Sequence, residues 1–286
     1  MASAIRDSLA NGMTATQIHT QSNRPVPILC YHSIADNELS LSPQAFRRQL
    51  RYLMARRYQT ITVGELALRY QSGNLPERTV CITFDDCFES VFWHAVPVLE
   101  DFGFTATCFA VVDYIGSTLW GIPAARRWRR LPQPGDIAFR MMDWDQIKDV
   151  QRRGFEIGSH TVTHRNLTDI PAHEALHEIA ASKHLLEQQL NTPVVSFAYP
   201  RGRHHEEIVR QVRKSGYRAG CTTRYGCVSG SSNEWALPRI PGPSLICDLI
   251  RSVENVNQHR LVTWMMKGLA VGERAAVHLA RRCPAI

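Results

Sequence analysis

Two neighbouring carboxylates, Asp85 and Asp86, stand at the end of an apolar run, TVCITF at 79–84. Adjacent carboxylates repel, and a metal ion offsets that repulsion well. One Asp then ligates while the other, held by a nearby cation, stays ionised as a base. A plainer use exists, a strand-end turn whose Asp residues cap the next helix, and the pair by itself favours that one. His160 and His164 have the spacing H-x-x-x-H, which can set two imidazoles on one metal. Spacing is a weak signal here, because His173 and His177 repeat it on what reads as the polar face of the next helix. His160 differs in closing an apolar segment, FEIGS at 155–159, beside Gly158 and Ser159. Two His and one Asp leave positions open for water and substrate, which a catalytic zinc needs.

Such residues must be brought together by the elements around them. VPILCYH (26–32) reads as a buried strand, and Ser42-Pro43 opens a helix carrying Phe46, Leu50 and Leu53. A short strand is expected at 58–62 and a helix at 63–71, then the strand at 79–84 and a helix over 88–101. Further strands are expected at 105–112, 155–159, 194–199 and 217–223, with helices after Pro171 and over 205–215. Apolar strands alternating with helices mean a parallel sheet covered by helices, here an α/β barrel, closed or nearly so. Chemistry in that architecture sits at the C-terminal ends of the strands. His32, Asp85-Asp86, His160 and Tyr199-Pro200 all lie at such ends, as one shared site requires.

The residues also carry a resemblance. TFDDC (83–87), GSHTVTH (158–164) and FAYPRG (197–202), in that order, resemble the T-F-D-D-G, H-[ST]-x-x-H and F-x-[YP]-P-x-G motifs of the polysaccharide deacetylase (NodB-homology, carbohydrate esterase family 4) family. YHSI near the start and LPRI (237–240) near the end fit as well, and the resemblance spans residues 25 to 243. It implies a distorted (β/α) barrel and a metal-dependent hydrolase that removes N-acetyl groups from a carbohydrate. Asp85 would be the base, and Asp86, His160 and His164 would bind a divalent metal, zinc in most members. The Arg201 N–H would help hold the oxyanion. His32, in the LCYH run, is similar to the histidine acid of a permuted subgroup with an N-terminal Y-H motif.

Three departures matter. Cys87 replaces a glycine, so it strains the turn or narrows the site, and an exposed thiolate there would be a further ligand candidate. Ala198 stands where many members carry an arginine paired with the base, which leaves Arg239 as the candidate to orient Asp85. Arg201 replaces a common aromatic residue, shifting the expected preference toward anionic sugars.

The 286 residues divide into a leader at 1–24, the catalytic domain at 25–243 with an insertion at 116–141, and a basic helical extension at 244–286. Apolar content of 44% and charged content of 21% fit an ordinary globular core. The net charge of +7 suits acidic partners, with Arg126, Arg127, Arg129, Arg130 and the C-terminal Arg260, Lys267, Arg274, Arg281 and Arg282 as its concentrations. No nucleic-acid motif is present, and the partner that the resemblance implies is a glycan substrate, anionic or lipid-linked. No transmembrane run appears, and the C-terminal segment with Val262, Met265 and Leu269 could rest on a membrane surface. The start of the chain lacks an apolar signal core, giving a cytoplasmic expectation. The eight cysteines include no C-x-x-C pair and read as reduced thiols, with Cys221 and Cys227, close in sequence, as a candidate pair. Two other functions fit the same residues: hydrolysis of a non-sugar amide on this scaffold, or a glycan-binding homologue without turnover.

Overall fold

The computed structural model describes residues 25–37, 40–72, 77–118 and 140–254. Nine strands appear in chain order: β1 Val26–Tyr31, β2 Gln59–Thr60, β3 Thr79–Asp85, β4 Thr107–Ala110, β5 Glu156–Ser159, β6 Ser196–Ala198, β7 Ala219–Tyr225, β8 Cys227–Val228 and β9 Leu237–Pro241. Seven of them close a parallel barrel, in the order β1, β3, β4, β5, β6, β7, β9 and back to β1. Closure leaves no free edge inside the ring. β2 pairs in parallel with the start of β3, and β8 pairs antiparallel with the start of β1.

Side-chain alternation sorts the strands into two layers, as their two-residue period dictates. Leu29, Tyr31, Ile82, Phe84, Cys108, Phe197 and Tyr199 point outward into one large core under the helices. Ile28, Cys81, Phe109, Ala198, Ala219, Cys221 and Leu237 fill the barrel itself. The lumen is mostly small residues, and into that space β9 sends the buried side chain of Arg239.

The helices are α1 Pro43–Ala55, α2 Val63–Ser72, α3 Val96–Asp101, α4 Trp144–Arg152, α5 Ala172–Leu190, α6 Glu206–Lys214 and α7 Ile246–Glu254. Ser42 caps α1 as expected, accepting from the Ala45 N–H at 3.2 Å, and α5 follows Pro171. The helix expected over 88–101 runs without interruption over 89–101, with π geometry at Val91–Ala95 ahead of α3. Pro97 supplies no N–H, and the Val96 N–H bonds to the Val91 carbonyl five residues back. Three elements exceed the expectation, the short β8 among them. α4 is opened by a capping box between Asp143 and Gln146, and β9 forms despite Pro238 and Pro241.

The leader 1–24 lies outside the described residues, as do residues 119–139 of the insertion and 255–286 of the extension, including every basic and apolar residue named above in those stretches. The two ends of the insertion run side by side: Gly116 N–H donates to Met142 O at 2.9 Å and Met141 N–H to Ser117 O at 3.0 Å. The described part of the extension, α7, buries Leu249 and Val253 in the main core and packs on α1. Cys221 and Cys227 are both free thiols. Among the described residues no helix is long and apolar enough to cross a membrane.

Candidate active site

Asp85 ends β3 with its side chain in the barrel mouth, and Arg239 reaches it from β9. The guanidinium is bidentate, Nη1 to Oδ1 and Nη2 to Oδ2 at 2.7 Å each, and both residues are buried. Arg239 is itself aimed by Nε donating to Thr222 O at 2.9 Å and Nη1 to Thr83 Oγ1 at 3.2 Å. The Cys30 thiol adds a third donor to Asp85, 3.5 Å from Oδ2. Burial alone would raise the Asp85 pKa, but the Arg239 charge and hydrogen bonds, with His160 and His32, outweigh it and hold the carboxyl well below the usual range. Ala198, facing into the lumen from β6, leaves room for this arginine from another strand. Arg239 thus holds both carboxylate oxygens of Asp85.

Asp86 turns the other way. Its Oδ1 is buried without a hydrogen-bond partner, 3.8 Å from His160 Nε2 and 3.6 Å from His164 Nε2. The ligand atoms of the three residues all lie within 4.8 Å of one another. His160 Nδ1 lies 2.7 Å from the Ala198 carbonyl, which fixes that nitrogen as donor and leaves Nε2 as the lone-pair side. His164 is pushed down to about 4, chiefly by burial and then by the His160 charge, so its imidazole is neutral and free to ligate at neutral pH. An orphaned carboxylate oxygen facing two ring nitrogens is a donor set that fits zinc. His173 and His177 stay apart on the exposed side of α5.

The loops that carry these groups are strained. Of eight non-glycine residues with positive φ among those described, five are here: Asp86, Cys87, Thr161, His164 and Arg201. Left-handed backbone outside glycine costs about 1–3 kcal/mol per residue and persists only where the surroundings impose it. Cys87, with φ of 54°, bears out the expected strain. As a ligand it does not join the group: the thiol is buried in the apolar core, and among the described residues the cluster able to hold a metal is Asp86, His160 and His164.

His32 follows β1 and is exposed, so it is not a buried structural histidine. It lines a cleft of about 340 Å³ with Ser33, Ser40, Leu41, Thr223 and Arg239 among others. Arg201 sits in the 3-10 turn Pro200–Gly202 after β6, and its charge bears on His164 and Tyr114. The turn uses Gly202 N–H to Tyr199 O (2.7 Å) and Arg203 N–H to Pro200 O (3.3 Å), engaging the Arg201 N–H in neither. Gly202 is obligatory there: φ is 69°, and a Cβ would stand 2.1 Å from Thr223 Oγ1.

Three residues escaped the reading of the sequence. Tyr114 places its ring 5.9 Å from that of His164, with its phenol pushed up to about 12, first by burial and then by Asp86. Cys30 reads as a core cysteine yet donates to Asp85. Glu178, on α5, is buried against the loop between the two histidines. Tyr114 ends the 3-10 turn Val112–Tyr114 just after β4, so its nearness to a strand end could have flagged it; Glu178 looked like any helical acid.

Residues 72–220 match the polysaccharide deacetylase family. YxkH of Bacillus subtilis (strain 168), provisionally named a polysaccharide deacetylase, is 30% identical over 236 residues, covering 81% of this chain and 77% of its own. The poly-beta-1,6-N-acetyl-D-glucosamine N-deacetylase of Staphylococcus epidermidis is 24% identical over 206 residues, 70% of this chain and 67% of its own. In fold the chain is similar to the Streptococcus pyogenes deacetylase PplD, solved with acetate, at a TM-score of 0.69 and 24% identity over 82% of this chain and 100% of that one. IcaB from Ammonifex degensii gives 0.64 at 24% identity, over 77% and 92%. A family match of this extent, a relative this similar along most of the chain and a shared barrel make this protein a member of the polysaccharide deacetylase family, with its NodB-type fold.

Proposed function

We propose that the protein hydrolyses N-acetyl groups of an N-acetylated carbohydrate, as an oligosaccharide, a polysaccharide or a lipid-linked precursor, with a divalent metal held by Asp86, His160 and His164. The observation that carries this reading is the unpartnered, buried Asp86 Oδ1 facing both Nε2 atoms, one residue from a carboxylate locked by Arg239. When bound, the metal, zinc by the chemistry of the donor set, supplies a Lewis acid that polarises the acetyl carbonyl and acidifies water enough for a carboxylate as weakly basic as Asp85. Asp85 accepts the proton of the attacking water. Arg239 and Cys30 hold it in place and ionised. The Arg201 N–H, presented by a strained turn, donates to the oxyanion. His32 donates a proton to the leaving amine, so that amide and water become amine and acetate. Its place in a cleft also lined by Cys30 and Arg239, the two residues bonded to Asp85, supports this role. The poly-N-acetylglucosamine specificity named for the staphylococcal relative makes N-acetylglucosamine oligomers the first substrates to try.

The test is acetate release from those oligomers, after chelation and again after zinc is restored. Release that depends on zinc and disappears in Asp85→Asn is the expected result. Zinc bound at the site with no acetate released would favour a different acylated substrate or a glycan-binding role.

A further inference from the structure

The loop that carries the two histidines is held from one side by a residue with no assigned part in the chemistry. Glu178 lies in the second turn of α5 and is buried. Its Oε2 accepts from the N–H groups of both Val162 and Thr163 at 2.9 Å, and its Oε1 accepts from the Thr163 hydroxyl. Two other acids of the same helix, Glu174 and Glu187, pair with Arg165 and Lys183. Glu178 meets no such cation among the described residues. A buried carboxylate satisfied only by a loop costs more than an apolar residue in that place, unless the loop needs holding.

This loop does need holding. Thr161, β-branched, and His164 both have left-handed backbone, with φ of 72° and 58°. Relaxing either one would swing the His164 imidazole away from Asp86. The opposite side of the loop is tied to the exit of β4, by Val112 N–H to Thr161 O (3.2 Å) and Asp113 N–H to Val162 O (2.9 Å). Glu178 closes the other side and over-determines the strained conformation.

We propose that Glu178 is a positioning residue: its carboxylate clamps Val162 and Thr163 and thereby sets the direction in which His164 presents Nε2. The proposal rests on the reading of Asp86, His160 and His164 as the ligand set. It concerns reach and acceptor geometry, not charge. A glutamine at 178 can still accept both N–H groups with its carbonyl oxygen, while its amide donates to the Thr163 hydroxyl. An aspartate keeps the charge but falls one methylene short.

The experiment is a Zn2+ titration of the metal-stripped full-length protein against a chromophoric chelator, with hydrogen exchange at the Val162 and Thr163 amides. Wild type is expected to bind one Zn2+. Glu178→Ala should bind roughly 10–100-fold more weakly, the range seen when partners outside the ligand set are lost. Glu178→Asp should fall with it, whereas Glu178→Gln should stay close to wild type and keep both amides protected. Should the alanine variant not fold, the Gln and Asp variants decide the matter. Affinity kept in Asp and lost in Gln would overturn the proposal, as would an alanine variant that binds like wild type. A wild type that takes up no Zn2+ sinks the ligand-set reading, and the proposal with it, whereas the first two outcomes leave that reading standing.

Discussion

Replacing Arg239 by methionine removes the guanidinium while keeping most of the side-chain volume in the barrel. Asp85 then loses both 2.7 Å hydrogen bonds and keeps only the Cys30 thiol at 3.5 Å. Breaking one partner out of a buried ion pair costs about 3–5 kcal/mol. The carboxyl has one escape, which is to take up a proton. From an ordinary value of about 3.9, and at ~1.4 kcal/mol per pH unit, that escape costs about 4 kcal/mol at pH 7 and about 1.5 at pH 5. The sign follows from linkage. In wild type the folded pKa of Asp85 is depressed, so its contribution is present above the unfolded value near pH 4 and is lost only as pH falls below it. In the variant the folded pKa is raised, so the folded state binds more protons than the unfolded one and stability falls as pH rises. The wild-type-minus-variant gap should therefore widen by up to about 1.4 kcal/mol per unit between pH 5 and 7. Urea denaturation of both proteins, metal-stripped and followed by tryptophan fluorescence at three pH values, reads this gap directly, and the other titrating groups largely cancel in the difference. A gap that is flat or that narrows toward pH 7 would falsify the reasoning. Activity in the variant should be low at pH 7 and recover as pH rises toward the new pKa of Asp85.

Other perturbations test other parts of the site. His32→Gln should lower kcat by roughly 10²–10⁴, the usual worth of general acid catalysis, while leaving the zinc stoichiometry unchanged, because the residue is exposed and outside the ligand set. His164 has a folded value near 4 against 6.5 unfolded, so the metal-free protein should lose about 3 kcal/mol as pH falls from 6.5 to 4. His164→Gln should flatten that slope in the same denaturation series. Gly202→Ala drives a Cβ into Thr223 and forces a positive φ on alanine, so kcat should collapse along with stability, read as a drop in Tm. For Cys87→Gly, relief of about 1 kcal/mol of left-handed strain roughly balances the buried side chain lost, so denaturation should place it within ~1 kcal/mol of wild type. Cys87→Val, β-branched at the same φ, should be much less stable.

Much of the site was legible in the sequence because its parts are local. An apolar run ends at Asp85-Asp86, another at His160, and strand ends share one rim of a parallel barrel whatever their separation in the chain. Motif order grouped Asp86, His160 and His164, which the fold brings together, and Ala198 in place of an arginine pointed to Arg239, which pairs with Asp85. The elements that were missed are those whose local signal is poor or conflicting. Pro238 and Pro241 argue against a strand, yet β9 forms because its neighbours β7 and β1 close the barrel across it.

The sequence by itself determined the alternation of strand and helix, and with it which side chains stand at strand ends, since periodicity and turn chemistry act over a few residues. Only the tertiary structure decided what those side chains meet. Asp85 and Arg239 are 154 positions apart, and their bond depends on the register of two strands on either side of β1. Likewise, whether Cys87 is a ligand or a core thiol, and whether Glu178 is a surface acid or a clamp, turned on burial and on distances of about 3 Å, the range over which a hydrogen bond exists or does not. Those distances are set when the barrel closes, and no stretch of chain short enough to carry a motif contains them.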